Sequence, residues 1–184
     1  MKKTITLIAL AALTIGQVSA QKFFTRSASI TFFSTTPMED IEAKNHQASA
    51  IVNMVNGDLA FTALMKSFEF KKALMQEHFN EKYIESDKFP KATFKGKILS
   101  PGMDEMAKKG EYTATVEGDL TIHGVTKKYT AEGTITKSAD AIILNSVFDI
   151  TLADFDINIP GPVKNKIAEK VKTTIVAECK SYNK

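Results

Sequence analysis

Lys88-Phe-Pro-Lys-Ala-Thr-Phe-Lys-Gly96 and Gly118-Asp-Leu-Thr-Ile-His-Gly-Val-Thr-Lys127 each read as a strand with its turn chemistry attached. In the first, Pro90 stands at the strand entrance, where a missing N–H costs nothing, and Ala92, Phe94 and Gly96 fall on one face. In the second, Leu120 and Ile122 share a face. His123-Gly124 then supplies a tight turn, and Tyr129 restarts the alternation.

The same period of two runs through the rest of the chain. Phe24 to Phe33 opens it, and a weaker run lies near Ala48 to Val55. Leu59, Phe61, Ala63 and Met65 share a face, as do Ala92 to Ile98 on alternate positions. Tyr112, Ala114, Val116 and Gly118 follow, then Tyr129, Ala131, Gly133 and Ile135. Ile142, Leu144, Ser146, Phe148, Ile150 and Leu152 form another set, and Val171, Thr173, Ile175, Ala177 and Cys179 the last. These runs make about eight strands. Asn56-Gly57 and His123-Gly124 are hairpin signals, and Ser100-Pro-Gly102 ends a strand. Short turns between sequential strands give an antiparallel up-and-down sheet, and eight strands close it into a barrel without free edges. Helical spacing is confined to Phe70 to Phe79, a segment expected to cap one end of the barrel or cover its flank. The expected fold class is therefore all-β, an eight-stranded antiparallel barrel with one short helix.

The inward face mixes Phe61, Phe94 and Phe148 with Ala63, Ala92, Ala114, Ala131, Gly96, Gly118 and Gly133. Two readings follow from so many small residues. They leave a volume that holds one small ligand, or they accommodate the bends and bulges that curve the sheet.

The N-terminus has the form of a secretion leader over residues 1–20: Lys2 and Lys3, an apolar stretch from Ile5 to Ile15, and Val18-Ser19-Ala20 as a cleavage site. The apolar part is short of the about 20 residues that span a bilayer. The expected mature protein begins near Gln21, is periplasmic or secreted, and has no stable membrane insertion. Removing Lys2 and Lys3 lowers the formal charge from +3 to +1. Attraction to nucleic acid is not expected. The lysine doublets at 71–72, 108–109 and 127–128 read as solvated surface. Cys179 is the single cysteine, so no internal disulfide staples the fold, and its place in a strand reads as a small buried side chain.

Catalytic and metal signatures are missing from the sequence. His46, His78 and His123 are widely spaced, and there is no His-x-x-x-His pair, no Gly-x-Ser-x-Gly and no phosphate-cradling glycine loop. Asp149, Asp154 and Asp156 read as rim charges or turn hydrogen-bond acceptors. His123 reads as a turn residue whose imidazole bonds a neighbouring carbonyl. His78 reads as a residue of the barrel mouth that donates to a polar head group. The expectation is a protein that is not an enzyme, with no cofactor and no metal.

Three stretches together are similar to the YceI-like, polyisoprenoid-binding family: Phe68-Glu-Phe-Lys-Lys-Ala-Leu-Met-Gln-Glu-His-Phe79 leading into Phe89-Pro-Lys-Ala-Thr-Phe94, Gly118 to Lys127, and Leu152-Ala-Asp-Phe-Asp-Ile157. Gln21 to Met65 follows the family only loosely, and Ser29 to Ser34 lacks the histidine expected there. The resemblance covers Phe68 to the C-terminus and implies a lipocalin-like barrel over residues 21–184. In that family the barrel holds a long apolar chain, a polyisoprenoid or fatty-acid derivative. At about 0.8 kcal/mol per CH₂, roughly ten buried methylenes retain such a chain tightly. The expected role is a carrier or sequestering protein. Alternation selects Leu59, Phe61, Ala63, Met65, Phe94, Ile98, Tyr112, Leu144 and Phe148 as the wall of the ligand site, with His78 at its mouth. The alternative is a barrel with a packed interior that acts as a structural or protein-interaction module. Outward-facing Ile143 and Val147 mark a candidate homodimer face.

Overall fold

His123 and Gly124 both take left-handed backbone, with φ of 51° and 77°. This is the geometry of the tight hairpin turn whose twist matches that of its strands. It joins Gly110–Ile122 to Val125–Lys137 in unbroken antiparallel register, from Ile122↔Val125 to Gly110↔Lys137. Around this hairpin the rest of the sheet assembles. The computed structural model describes residues 22–182; the secretion-leader reading over residues 1–20 lies outside them.

The strands in chain order are β1 (Lys22–Thr35), β2 (Asp40–Asn53), β3 (Asp58–Leu64), β4 (Glu69–Phe70), β5 (Lys91–Ser100), β6 (Gly110–Ile122), β7 (Val125–Lys137), β8 (Ala141–Thr151) and β9 (Lys170–Tyr182). Eight of them close a barrel in the order β1-β9-β8-β7-β6-β5-β3-β2, with β2 returning to β1, every pair antiparallel. The two-residue β4 is an extra strand laid beside β2, with Ala43 opposite Phe70. Helix α1 spans Ala73–His78 and continues as a wider π-type turn over Phe79–Tyr83. The helical stretch expected from Phe70 to Phe79 is thus shifted towards the C-terminus, because Phe70 is captured by the β2 ladder. Among the described residues no helix is long and apolar enough to cross a membrane.

The first hairpin is longer than its alternation suggested, and bulges explain why. The β1–β2 register slips between Thr25 and Ala28 and again between Ala28 and Ile30. Inward positions on β2 are therefore Ala43, Asn45, Ala48, Ala50 and Val52, so the period of two breaks between Asn45 and Ala48. Asn45 is fully buried, a position that reads as polar surface in sequence. Its Nδ2 donates to the Leu64 carbonyl at 2.9 Å, and its Oδ1 accepts the Gln47 N–H at 2.8 Å. These two hydrogen bonds to backbone groups remove the penalty of burying an amide.

The glycines separate the two readings of the small inward residues. A Cβ on Gly118 would overlap the Lys95 carbonyl and the Cα of Gly96, its cross-strand partner. On Gly96 a Cβ would come within 2.7 Å of the Phe94 ring. This pair serves close backbone approach and curvature. Gly133 belongs with this pair, since a Cβ there would overlap the Asn145 carbonyl, whereas the alanines Ala63, Ala92, Ala114 and Ala131 border open space, described below.

The two ends of the barrel differ. One end receives the β2–β3 and β7–β8 turns and the β5–β6 connection, and it is plugged. Met106, from the short 3₁₀ turn Glu105–Ala107, is fully buried there with Met54, Ile142 and Cys179. Lys137 points inward beneath the plug and donates to the carbonyls of Met106 and Ala107 at 2.8 and 3.1 Å. Burial pushes the Cys179 thiol up to about 12, so it stays a neutral packing group. The other end gathers the β1–β2 turn, α1 and the long β8–β9 connection, and here the barrel opens.

Candidate functional site

Inside the barrel lies a cavity of about 540 Å³, within the range of sites that bury a small ligand. Every barrel strand contributes to its wall. Leu59, Phe61, Ala63 and Met65 come from β3 and the turn after it, Phe94 and Ile98 from β5, and Leu144 and Phe148 from β8. His78, at the end of α1, reaches the rim. Of the ten residues selected from the sequence, the structure gathers these nine on one cavity. Tyr112 is not among them. It stands opposite Ile135 one step further towards the plug, and its hydroxyl donates to the Lys108 carbonyl at 3.0 Å. It fastens the plug loop rather than bordering the cavity.

Eight of these positions follow the alternation of β3, β5 and β8, which carry no bulge between them and the mouth, while His78 follows from its place in the helical segment. Sequence reasoning missed the contributions of β1 and β2, Ile30, Phe32, Ser34, Ile41 and Val52. Ile30, Phe32 and Ser34 alternate perfectly, so a signal existed. For β2 the bulge erased it. Ile157, Val163 and Ile167 come from the irregular β8–β9 connection, where no periodicity could point to them.

An aromatic cluster seats the helical lid on the mouth. Phe32 on the barrel wall packs with Phe68, Phe70 and Phe79 at ring separations of 5.4, 5.6 and 5.6 Å, and Phe70 meets Phe79 at 5.0 Å. Such contacts hold beyond their buried area. Lys72, at the start of α1, pairs with Glu39 of the β1–β2 turn at 3.0 Å. Asn165 and Ala168 tie the β8–β9 connection back to Met38 and Ser34. The mouth is thus ringed by Lys72, Glu39, His78 and Lys166 around an apolar interior.

His123 fixes the far side of this end. Its Nδ1 lies 3.1 Å from the Phe155 carbonyl and its Nε2 3.1 Å from the Glu85 carboxylate, while Phe89 packs edge-on against the ring. The turn reading of His123 corresponds to this geometry. Among the described residues, Glu85, His123 and Asp156 are the non-glycine residues with left-handed backbone, and all three converge here. Along the wall, β7 and β8 pair only from Gly133↔Ser146 to Lys137↔Ile142. Nearer the mouth they part, and the Tyr129 hydroxyl bridges them by donating to the Asp149 carbonyl at 2.5 Å. Burial and the Asp149 and Asp154 carboxylates push this phenol upwards, which keeps the donated proton in place.

Among the described residues no three His, Cys, Asp or Glu side chains gather into a group that could hold a metal ion. His46 bonds Ser29 on the outer face, and His78 and His123 serve the rim in different places.

A model of the YceI-like domain matches residues 16–179. No curated protein matches the chain. Among solved structures, a polyisoprenoid-binding domain from Saccharophagus degradans implicated in plant cell wall breakdown superposes with a TM-score of 0.77 at 14% identity, covering 89% of this chain and 99% of that one. BcnA from Burkholderia cenocepacia gives 0.67 at 19% identity over 84% and 96% of the two chains. A YceI protein from Campylobacter jejuni gives 0.55 at 14% identity, with both chains covered completely. At these identities the structural likeness speaks to the fold.

Proposed function

This chain belongs to the YceI-like family, and on that premise we propose that it is exported and holds one long-chain apolar lipid, a polyisoprenoid or fatty-acid derivative, as a carrier or sequestering protein. The observation that carries the reading is the apolar cavity of about 540 Å³ that extends from the lidded mouth into the barrel as far as Leu59, Ile98 and Ile135. A barrel serving only as a structural module gains nothing from such a void, since unfilled volume costs stability. The name of the Saccharophagus degradans relative, which describes a polyisoprenoid-binding domain, supports the same class of ligand. The chain enters past α1, its tail runs towards the plug, and its polar end stays at the rim beside His78 and Lys72. No chemistry on the ligand forms part of this reading. The leader over residues 1–20 supports a periplasmic or secreted location.

A series of straight-chain alcohols, titrated by displacement of a fluorescent lipid, tests this directly. Affinity is expected to rise about fourfold per methylene, the equivalent of about 0.8 kcal/mol. The rise should stop abruptly once the chain reaches the closed end of the cavity, beside Leu59, Ile98 and Ile135. Affinity that ignores chain length would contradict a barrel-bound tail.

A further inference from the structure

His123 turns its two ring nitrogens to two acceptors. Nδ1 lies 3.1 Å from the Phe155 carbonyl, and Nε2 lies 3.1 Å from a Glu85 carboxylate oxygen. A neutral imidazole has one N–H and donates once, whereas the imidazolium donates from both nitrogens. Neither partner supplies a missing proton. One is a backbone carbonyl, and the other is a half-exposed carboxylate with the Lys88 ammonium 3.8 Å away. The arrangement therefore belongs to the doubly protonated ring. That ring is well covered, with its side chain 13% exposed and Phe89 packed edge-on against it. The other charged groups on the elements around it are engaged elsewhere or face solvent. Asp87 pairs with Lys66, and Asp154 and Asp156, on either side of Phe155, are exposed.

The three bonded groups come from three parts of the mouth. His123 is in the β6–β7 turn, Glu85 follows the π-type turn of the lid, and Phe155 ends the 3₁₀ turn that opens the β8–β9 connection. Their neighbours Ile84, Ile122, Leu152 and Ile157 all border the cavity. We propose that His123 is a pH-sensitive latch on the cavity mouth: as imidazolium it ties the end of the lid to the barrel, and on losing a proton it lets that end go. The neutral ring keeps its Nδ1–H on the carbonyl of Phe155, a buried residue, because a covered carbonyl without a donor is costly. Glu85 is released instead, since it is half-exposed and has water and Lys88 as partners. The latch is thus closed in acid and opens as pH rises through the range in which histidine titrates, about pH 5 to 8. It regulates the lipid-binding site proposed above and rests on that reading.

The release rate of a fluorescent long-chain alcohol, a probe that does not itself titrate, tests the proposal at pH 5 and pH 8. The wild-type protein is expected to release it roughly two- to fivefold faster at pH 8, the scale of one partly exposed ion pair. Two variants are expected to remove that dependence in opposite ways. In Glu85→Gln the side-chain amide donates to a neutral Nε2 or accepts from a protonated one, so release stays slow at both pH values. In His123→Asn, which tolerates the left-handed backbone of this turn, the latch is missing and release is fast at both. Nitrogen-15 spectra of the His123 ring should show both nitrogens protonated at pH 5 and Nδ1 alone at pH 8. Release that ignores pH in the wild-type protein, or a pH dependence surviving in either variant, would overturn the latch. So would a proton kept on Nε2 at pH 8. Each of these results leaves the lipid-binding reading standing. A wild-type protein that never takes up the alcohol would overturn both.

Discussion

Replacing Ala114 with phenylalanine is expected to cut lipid affinity by more than about tenfold while the barrel stays folded. Ala114 is buried on the cavity wall, with Gly133 as its cross-strand partner. A ring introduced there occupies room that several methylenes of a bound chain would use. Each displaced methylene is worth about fourfold in affinity, so the loss accumulates quickly. Ala63→Leu, opposite Ala92 in another part of the same wall, should act the same way to a smaller extent. The informative comparison is between titration and thermal melting. In a packed interior the larger side chains would cost about 1–3 kcal/mol of stability through overpacking. With a cavity to grow into, they should leave the melting temperature nearly unchanged, and a large fall in it would contradict the cavity.

The largest effect on stability is expected from Phe32→Ala. That ring stands at the centre of the aromatic cluster with Phe68, Phe70 and Phe79, and it is the barrel's only member of the four. Truncating it should cost about 3 kcal/mol, and in a chain of this size that lowers the melting temperature by roughly 6–12 °C. Amide exchange should accelerate most in the lid, residues 70–83, because the lid loses its anchor while the strand ladders keep their hydrogen bonds. Uniform acceleration across β5 to β9, with the lid no faster than the strands, would contradict the anchoring role.

Much of this architecture was legible before any coordinates, and the reasons are local. His123-Gly124 and Asn56-Gly57 announce tight turns because few other residue pairs take left-handed backbone cheaply. From those turns outward, β3, β5, β6, β7 and β9 follow from simple alternation. Alternation failed where the chain breaks its own period. The β1–β2 bulges hide the inward row of β2, and Asn45 looks like surface until the free Leu64 carbonyl explains it. Phe70 matches a helical stripe as well as a strand, and only the exposed edge of β2 decides between them. Tyr112 shows the limit of a face assignment: it points inward like Ala114, yet the plug loop ends the cavity before reaching it. The lid and the β8–β9 connection carry rim residues on irregular backbone, where position depends on tertiary contacts alone.

The central claim is that the barrel interior holds a lipid. Native mass spectrometry of the protein purified gently from its own host, followed by organic extraction of anything bound, tests it most directly. The account predicts an adduct of one long-chain molecule that partitions into the organic phase. A clean ligand-free mass, unchanged after incubation with isoprenoid and fatty-acid mixtures, would contradict it.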